Sequence, residues 1–181
     1  GHFMKGIIKE LLAWLAMIAV VVAATYLVVT FVGQRTQVSG ESMETTLSDG
    51  DHLIVDKISY RFRDPERYDI VVFPYRLEEN TYYIKRIIGL PGETVQIVDG
   101  YVYINGIQLD EHYGNEIMEK PGIAAEPVTL GEDEYFVLGD NRNNSQDSRT
   151  VSVGVIHRNE ILGRAWVRIW PLSDFGVIKH E

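Results

Sequence analysis

The chain has 181 residues, of which 45% are hydrophobic and 24% charged, and it carries a net charge of -9 and no cysteine. This composition is typical of a folded globular protein and excludes an intrinsically disordered chain. Without cysteine, disulfide scaffolds, thiol nucleophiles, iron–sulfur clusters and cysteine-based zinc sites are excluded. The acidic excess argues against nucleic acid as a partner, because binding to phosphates requires a surplus of lysine and arginine.

An uncharged apolar segment, Leu11–Val32, lies near the start of the chain. At a helical rise of about 1.5 Å per residue it spans roughly 33 Å, which is enough to cross the hydrocarbon core of a lipid bilayer. The segment is predicted to be a helix, because a backbone in hydrocarbon must satisfy its own hydrogen bonds. Lys5 and Lys9 precede it, so the positive-inside rule predicts a single-pass protein of the cell membrane, with a cytoplasmic N-terminus and an extracytoplasmic main domain.

Two alternatives to a permanent anchor are a cleaved secretory signal and a buried core helix. The apolar region of a secretory signal is about 7–15 residues long and precedes an Ala-x-Ala-like site, and neither feature fits this segment. We predict three parts along the chain: a cloning remnant at 1–3, a transmembrane anchor at 4–35, and an extracytoplasmic β domain at 36–181.

The chain after Val38 consists of short apolar runs separated by turn residues, and this pattern predicts a mainly β fold. In residues 94–109 alternating strands are separated by Asp99-Gly100 and Asn105-Gly106, which favour tight primed turns and predict a three-stranded meander. Such short, regularly spaced strands are typical of a coiled β-sheet or a β-barrel-like sheet. Five more strands are predicted, at Leu53–Val55, Ile70–Phe73, Tyr82–Ile88, Tyr135–Leu138 and Arg164–Trp170.

Residues 110–127 differ from the rest of the β region. They are polar, contain Pro121 and Pro127, and lack regular alternation. We predict that they form an insertion outside the main sheet, either a small subdomain or a lid.

Common catalytic and metal-binding motifs are absent from the sequence. It contains neither the His-Glu-x-x-His motif of zinc proteases nor a Gly-x-Ser-x-Gly nucleophile elbow. The acidic stretch 140–147 lacks the glycine and the closing glutamate of a calcium loop. We therefore predict no metal and no cofactor. The histidines interpreted as surface or packing residues rather than ligands are His52, His112, His157 and His180.

Three polar segments remain as candidates for a functional site: Ser39–Leu47, Tyr83–Glu93 and Leu138–Arg149. Within them, Lys85 is unusual because it interrupts an apolar strand. Burial would lower its pKa, and the resulting neutral amine can accept a proton from a serine hydroxyl. The strand pattern alone, however, favours a lysine at a sheet edge that points to solvent. Taken singly, Ser42 is interpreted as a loop serine and the third segment as a polar loop held by Asp–Arg pairs.

Together, in this order after an apolar anchor, the three segments resemble the bacterial type I signal peptidases of the Gram-positive kind. Lys85–Gly92 and Gly139–Arg149 match two sequence boxes of that family almost letter for letter, Asp69–Phe73 matches a third, and Gly163–Pro171 is similar to its closing strand. The resemblance covers nearly the whole chain. It implies a membrane-bound serine endopeptidase that removes signal peptides from secreted precursor proteins.

The resemblance also implies roles for individual residues. Ser42 corresponds to the nucleophile and Lys85 to its general base, and Ser145 to a residue that orients the lysine amine through a hydrogen bond. Met43 corresponds to a residue that shapes the substrate pocket. The residues implied to brace the site through ion pairs are Asp140, Asp147, Arg86 and Arg149.

These roles predict acyl transfer onto a serine. Lys85 would take the Ser42 proton and then protonate the leaving amine, and the Ser42 amide would be the first donor to the oxyanion. The bracing carboxylates should not contact Lys85, because a neighbouring negative charge would keep the amine charged. The substrate would be an extended peptide paired with Tyr82–Ile84 and Gln37–Gly40, with shallow pockets for small residues. The predicted substrate-binding residues are Met43, Gly40, Tyr83 and Ile84.

Two positions depart from the family pattern. Thr45 occupies the place of a usual proline, which would have stiffened the turn after the nucleophile. Some members have a serine that donates to the oxyanion at the position of Gly40, which has no hydroxyl. Gram-positive members also lack this serine, so its absence does not argue against activity, and the second donor is another group or water.

The sequence also admits three alternatives to a general signal peptidase. The first is a catalytically silent relative that binds secreted precursors or assists pilus assembly, and it predicts a broken dyad, whereas Ser42 and Lys85 are both present. The second is an active enzyme dedicated to pilin-type precursors. The third is a self-cleaving Ser/Lys repressor, which requires a DNA-binding module where residues 1–35 provide an anchor.

Overall fold

The computed structural model of the protein describes residues 1–114 and 116–180, apart from the side chains of Val29 and Thr30. Helix α1 covers His2–Leu27, and a turn of π-helix continues it over Val28–Val32. Within the described residues, α1 is the one helix that is long and apolar enough to cross a membrane, and none of it is buried against the rest of the protein. A buried core helix is therefore the wrong interpretation of this segment.

The chain beyond α1 folds mainly as β-strands, as the sequence predicts. The strands of the described chain are β1 (Gly33–Gln37), β2 (His52–Asp56), β3 (Ile70–Pro74), β4 (Tyr82–Gly89), β5 (Thr94–Val98), β6 (Tyr101–Ile104), β7 (Ile107–Gln108), β8 (Val128–Thr129), β9 (Glu134–Leu138), β10 (Ile156–His157), β11 (Gly163–Trp170) and β12 (Gly176–Val177). Short 3-10 turns lie between them at Ser59–Arg61, Gly122–Ala125, Arg142–Asn144, Arg158–Glu160 and Leu172–Asp174.

These strands form two antiparallel sheets. The larger sheet has the order β1-β2-β11-β3-β4-β9-β10, with β12 pairing with β11, and the smaller has the order β7-β6-β5-β8. In the part of the chain that the structure describes, β1 pairs with β2 alone and β10 with β9 alone. The mainly β class is confirmed, and the larger sheet stays open instead of closing into a barrel.

The strands with an alternating apolar pattern were predicted correctly, including the meander. Asp99, Gly100, Asn105 and Gly106 all have positive φ angles, between 52° and 85°, as two primed turns require. The sequence did not predict β1, β8, β10 and β12, of which the last three are only two residues long. β1 is polar and begins at Gly33, inside the predicted anchor, and it forms because β2 offers a strand edge.

Strand β4 is central to the larger sheet, and its neighbours determine where the candidate site lies. On one side Lys85 is opposite Val71 and Arg86 is opposite Ile70 of β3. On the other side Arg86 is opposite Leu138 of β9, which leads into the third candidate segment. The sheet thus brings two of the three candidate segments together.

Candidate active site

Lys85 is a buried residue of a central strand, with 4% of its surface exposed. Its interpretation as a solvent-facing lysine at a sheet edge is therefore wrong. The Lys85 Nζ donates a hydrogen bond of 2.6 Å to Ser42 Oγ, although 43 positions separate the two residues in the chain. Ser42 lies in the loop between β1 and β2, so this contact joins that loop to β4.

The environment of Lys85 favours a neutral amine. Burial lowers its pKa to about 8, because the ammonium loses hydration in the protein interior. The charge of Asp147 opposes this shift, that of Arg149 adds to it, and that of Asp140 opposes it. No ion pair joins Lys85 to either carboxylate in the described residues, because each carboxylate is taken by an arginine.

Two stacked tyrosine rings lie beside the Lys85 amine. Nζ is 5.1 Å from the centre of the Tyr83 ring, which stacks on Tyr75 with a centroid distance of 4.6 Å and an interplanar angle of 8°. The Tyr83 hydroxyl donates to Gln146 Oε1 at 3.0 Å. Tyr83 is thus held in place from two sides, next to the amine.

Arg86 and Asp140 form a fully buried bidentate ion pair. Arg86 Nε and Nη2 donate to the two Asp140 carboxylate oxygens at 2.9 and 2.7 Å, and the side chains are 1% and 0% exposed. Thr46 Oγ1 donates to the same carboxylate at 2.5 Å, and the Asp140 amide donates to Met43 Sδ at 3.4 Å. The pair therefore connects β4 to the loop that carries Ser42.

Arg149 and Asp147 form a second buried bidentate pair. Arg149 Nε and Nη2 each donate to the carboxylate at 2.9 Å. The Asp147 carboxylate also accepts the Gly139 amide at 3.0 Å. The four residues that the family resemblance implied to form ion pairs are therefore paired, Arg86 with Asp140 and Arg149 with Asp147.

Ser145 lies beside the dyad but is not bonded to it. Its hydroxyl is buried and has no hydrogen-bond partner among the described residues, so the expected hydrogen bond to Lys85 is not formed. A Cβ at Gly139 would lie 2.1 Å from Ser145 Oγ and 2.6 Å from the Ser42 carbonyl oxygen. Only glycine fits at this position, and its small size lets the serine loop and the polar loop pack against each other.

A groove of about 250 Å³ runs past the Ser42–Lys85 pair. It is lined by Thr36–Met43 and Tyr82–Lys85, together with Asn144 and Gln146. The two segments predicted to pair with an extended peptide therefore line the same groove. Gly40, Met43, Tyr83 and Ile84, the predicted substrate-binding residues, all line this groove.

The backbone around Ser42 is anchored from outside its own loop. The Asn141 amide donates to the Ser42 carbonyl at 2.9 Å, and Asn141 Nδ2 donates to the Glu41 carbonyl at 3.0 Å. The Gly40 amide donates to Asp49 Oδ1 at 2.9 Å. The Ser42 amide makes no backbone hydrogen bond within the described residues, which leaves it available to an oxyanion.

Sequence reasoning missed the support that His180 gives to this site. His180 is 6% exposed; its Nδ1 accepts the Ile70 amide at 2.8 Å, and its Nε2 donates to the Ala165 carbonyl at 2.8 Å. Its own carbonyl accepts a hydrogen bond of 2.9 Å from Arg86 Nη1. Burial lowers its pKa to about 4, so the ring stays neutral and can accept at Nδ1. A lone histidine far along the chain carries no sequence signal for such a contact.

The sequence of this chain is similar to those of known signal peptidases. The family model described as signal peptidase, peptidase S26, matches residues 11–170. A probable signal peptidase I-2 of Synechocystis sp. is 45% identical over 176 residues, which cover 93% of this chain and 78% of that protein. A signal peptidase IB of Staphylococcus aureus is 34% identical over 188 residues, which cover 96% and 95% of the two chains.

A crystal structure of a signal peptidase I from Enterococcus faecalis is also similar, with 37% sequence identity and a TM-score of 0.48 over 56% of this chain and 97% of that one. The family match spans the serine, lysine and Gly-Asp-Asn segments that the fold brings together. The chain belongs to the signal peptidase family, the membrane serine endopeptidases that remove signal peptides.

Proposed function

We propose that this protein cleaves signal peptides from secreted precursors with Ser42 as nucleophile and Lys85 as general base. The single observation that carries the assignment is the 2.6 Å hydrogen bond between Lys85 Nζ and Ser42 Oγ inside a substrate-sized groove. The lowered pKa of Lys85 supports it, because a base must be neutral to accept a proton.

The reaction has two halves. In acylation, Ser42 Oγ bonds to the scissile carbonyl carbon while its proton moves to Lys85 Nζ; the ammonium then protonates the leaving amine as the C–N bond breaks. In deacylation, Lys85 takes a proton from water as the water oxygen attacks the ester, and the proton returns to Ser42 Oγ. The amine is neutral at the start of each half, so no proton is gained or lost over the cycle.

The oxyanion is stabilised by the Ser42 amide, which has no competing backbone acceptor within the described residues. The ion pairs of Arg86 with Asp140 and of Arg149 with Asp147 act at a distance from the reacting atoms. They neutralise the two carboxylates nearest to Lys85 and hold the loops that carry Ser42 and Ser145. The family resemblance assigns the orientation of the Lys85 amine to Ser145, whose buried hydroxyl has no hydrogen-bond partner among the described residues.

The substrate binds as an extended strand between Gln37–Gly40 and Tyr82–Ile84. Backbone hydrogen bonds to these segments supply affinity, and shallow pockets of the groove accept small side chains near the cleaved bond, as the family resemblance implies. Helix α1 spans the lipid bilayer with its N-terminus in the cytoplasm, so the β domain works outside. Because Ser42 follows the end of the helix closely, the cleavage site lies near the membrane surface.

Loss of the Ser42 hydroxyl tests the assignment. Purified full-length protein in detergent is mixed with a signal-peptide-bearing precursor, and the mature product is quantified. We expect wild type to cleave, Ser42→Ala to lose activity by about 10³-fold or more, and the control Ser48→Ala to match wild type, since Ser48 is exposed in the same loop. Binding of precursor by wild type without cleavage would instead favour the catalytically silent alternative.

The activity is expected to depend on pH through Lys85. The protonated amine is inactive, so kcat/KM should rise with pH, with a midpoint near 8, and should fall about tenfold per pH unit below that midpoint. The measurement is kcat/KM from pH 6 to 10 on a precursor whose signal peptide has no titrating group in this range. A profile that is flat from pH 6 to 9 would contradict a lysine base.

A further inference from the structure

We infer that Glu111, in the 110–127 insertion, is a positioning residue that acts through Arg142 to hold Ser42 beside Lys85. The inference rests on the proposed function, since it concerns the geometry of that dyad. It assigns a role to a segment that the sequence led us to interpret as a subdomain or lid.

The first step is a sheltered ion pair between the insertion and the polar loop. Arg142 Nη1 and Nη2 donate to the two Glu111 carboxylate oxygens at 2.5 and 2.7 Å. The two side chains are 2% and 12% exposed. A bidentate pair of this kind fixes the plane of the guanidinium as well as its position.

The second step runs from the guanidinium to the polar loop. Arg142 Nε donates to the Gly139 carbonyl at 2.9 Å, and the Arg142 amide donates to the Asp140 carbonyl at 3.0 Å. The Arg142 carbonyl in turn accepts a hydrogen bond of 2.6 Å from Arg149 Nη2. The short turn from Gly139 to Arg142 therefore depends on an arginine whose charged end is held by Glu111.

The third step reaches the nucleophile. Asn141 lies inside this turn, and its amide and side chain donate to the carbonyls of Ser42 and Glu41. A displacement of the turn therefore displaces the Ser42 backbone, whereas Lys85 is fixed independently in a central strand. Because a misplacement of about 1 Å can reduce catalysis by about 10²-fold, the 2.6 Å dyad contact is sensitive to such a shift.

The rest of the insertion is bound to the same loop. Asn143 Nδ2 donates to the Ile117 carbonyl at 3.2 Å, and its Oδ1 accepts the Glu119 amide at 3.0 Å. The Ile123 amide donates to the Arg149 carbonyl at 2.9 Å. The insertion thus holds the polar loop at several points, through residues that do not line the groove. These other contacts limit how far the turn from Gly139 to Arg142 can move. We therefore expect the loss of the Glu111 carboxylate to have a moderate effect on kcat.

The test compares Glu111→Ala, Glu111→Gln and Arg142→Lys in full-length protein, with Glu126→Ala as control. Glu126 is an exposed glutamate of the same insertion. Steady-state cleavage is measured well below the unfolding temperature, and kcat is divided by the folded fraction of each sample. We expect Glu111→Ala to lower kcat about tenfold with KM within about twofold, Glu111→Gln to be intermediate, and Glu126→Ala to match wild type.

A double variant tests whether Glu111 acts through Arg142. If it does, Glu111→Ala combined with Arg142→Lys loses no more kcat than the worse single variant, whereas independent effects would multiply. Wild-type kcat in Glu111→Ala, or a loss confined to KM or to the folded fraction, would overturn the inference. Because the assay includes wild type and Ser42→Ala, failure of the dyad itself would appear as cleavage that persists in Ser42→Ala, which is a different outcome.

Discussion

Replacing Lys85 with arginine or with methionine is expected to abolish precursor cleavage, with a loss of about 10³-fold or more in kcat/KM for each variant. Arginine stays protonated at any working pH and methionine has no basic group, so neither can accept the Ser42 proton. The measurement is the cleavage assay in detergent, with Lys179→Met as control, because Lys179 is an exposed lysine. Substantial turnover by Lys85→Arg would refute the mechanism.

The two Lys85 variants are expected to differ in stability. Lys85 has a pKa of about 8 in the folded protein and about 10.4 when unfolded. The unfolded chain therefore binds more protons between these values, and wild-type stability rises with pH across that window. Below pH 8 Lys85 is buried in its charged form, and the whole desolvation cost of the ammonium is subtracted from the free energy of unfolding. Lys85→Met removes this cost, and we expect it to be more stable than wild type at pH 7 by about 2–3 kcal/mol.

The advantage of Lys85→Met should shrink as the pH approaches 10, because the wild-type amine is then neutral. Thermal unfolding of both proteins at pH 7 and pH 10 measures this difference. Lys85→Arg, which keeps a larger charge in the same buried position, is expected to be less stable than wild type at both values. An equal stability of wild type and Lys85→Met at pH 7 would show that the burial of the ammonium has no energetic cost.

The second large effect concerns the Arg86–Asp140 pair. Asp140→Asn leaves the Arg86 charge buried without a counter-ion, and we expect the free energy of unfolding to fall by about 3–5 kcal/mol. The Thr46 hydroxyl also loses its carboxylate acceptor in the loop that carries Ser42, so cleavage should decrease as well. Denaturant unfolding gives the first quantity and kcat gives the second.

A surface pair provides the matched control for Asp140→Asn. Glu66 is 73% exposed in its side chain and lies 3.8 Å from Arg63, and Glu66→Gln should change stability by less than about 0.5 kcal/mol. The double variant Arg86→Met with Asp140→Leu removes both charges and should recover part of the lost stability without recovering full activity. If Asp140→Asn changed the free energy of unfolding and kcat as little as Glu66→Gln does, the buried pair would not brace the site.

The sequence pattern correctly predicted those elements whose structure depends on residues close together in the chain. The uncharged run Leu11–Val32 predicted α1, and the Asp99-Gly100 and Asn105-Gly106 pairs predicted two primed turns, because helices and tight turns depend on neighbouring residues. Short polar strands such as β1 escaped prediction because they form only when a partner strand is present. For the same reason the sequence predicted that Lys85 lies at a sheet edge, because the residues of β4 do not determine whether that strand is central or at an edge.

The candidate site was also predictable only in part. The types and spacing of Ser42 and of the Lys85–Gly92 and Gly139–Arg149 stretches were enough to indicate the family and its chemistry, because they carry the reacting groups and the residues of the two Asp–Arg pairs. The supporting contacts could not be predicted. Glu111 and His180 lie in segments without a pattern, and they gain their roles from partners far along the chain.

By itself, the sequence determined the apolar helix, the alternating β-strands and the membership of the Ser42 and Lys85 segments in one family. Only the tertiary structure decided that Lys85 is buried, that its amine reaches Ser42, and that the polar insertion contacts the polar loop. The physical reason is that a strand's own residues specify its pleat and its apolar face, whereas burial and the pKa of a lysine depend on every element packed around it.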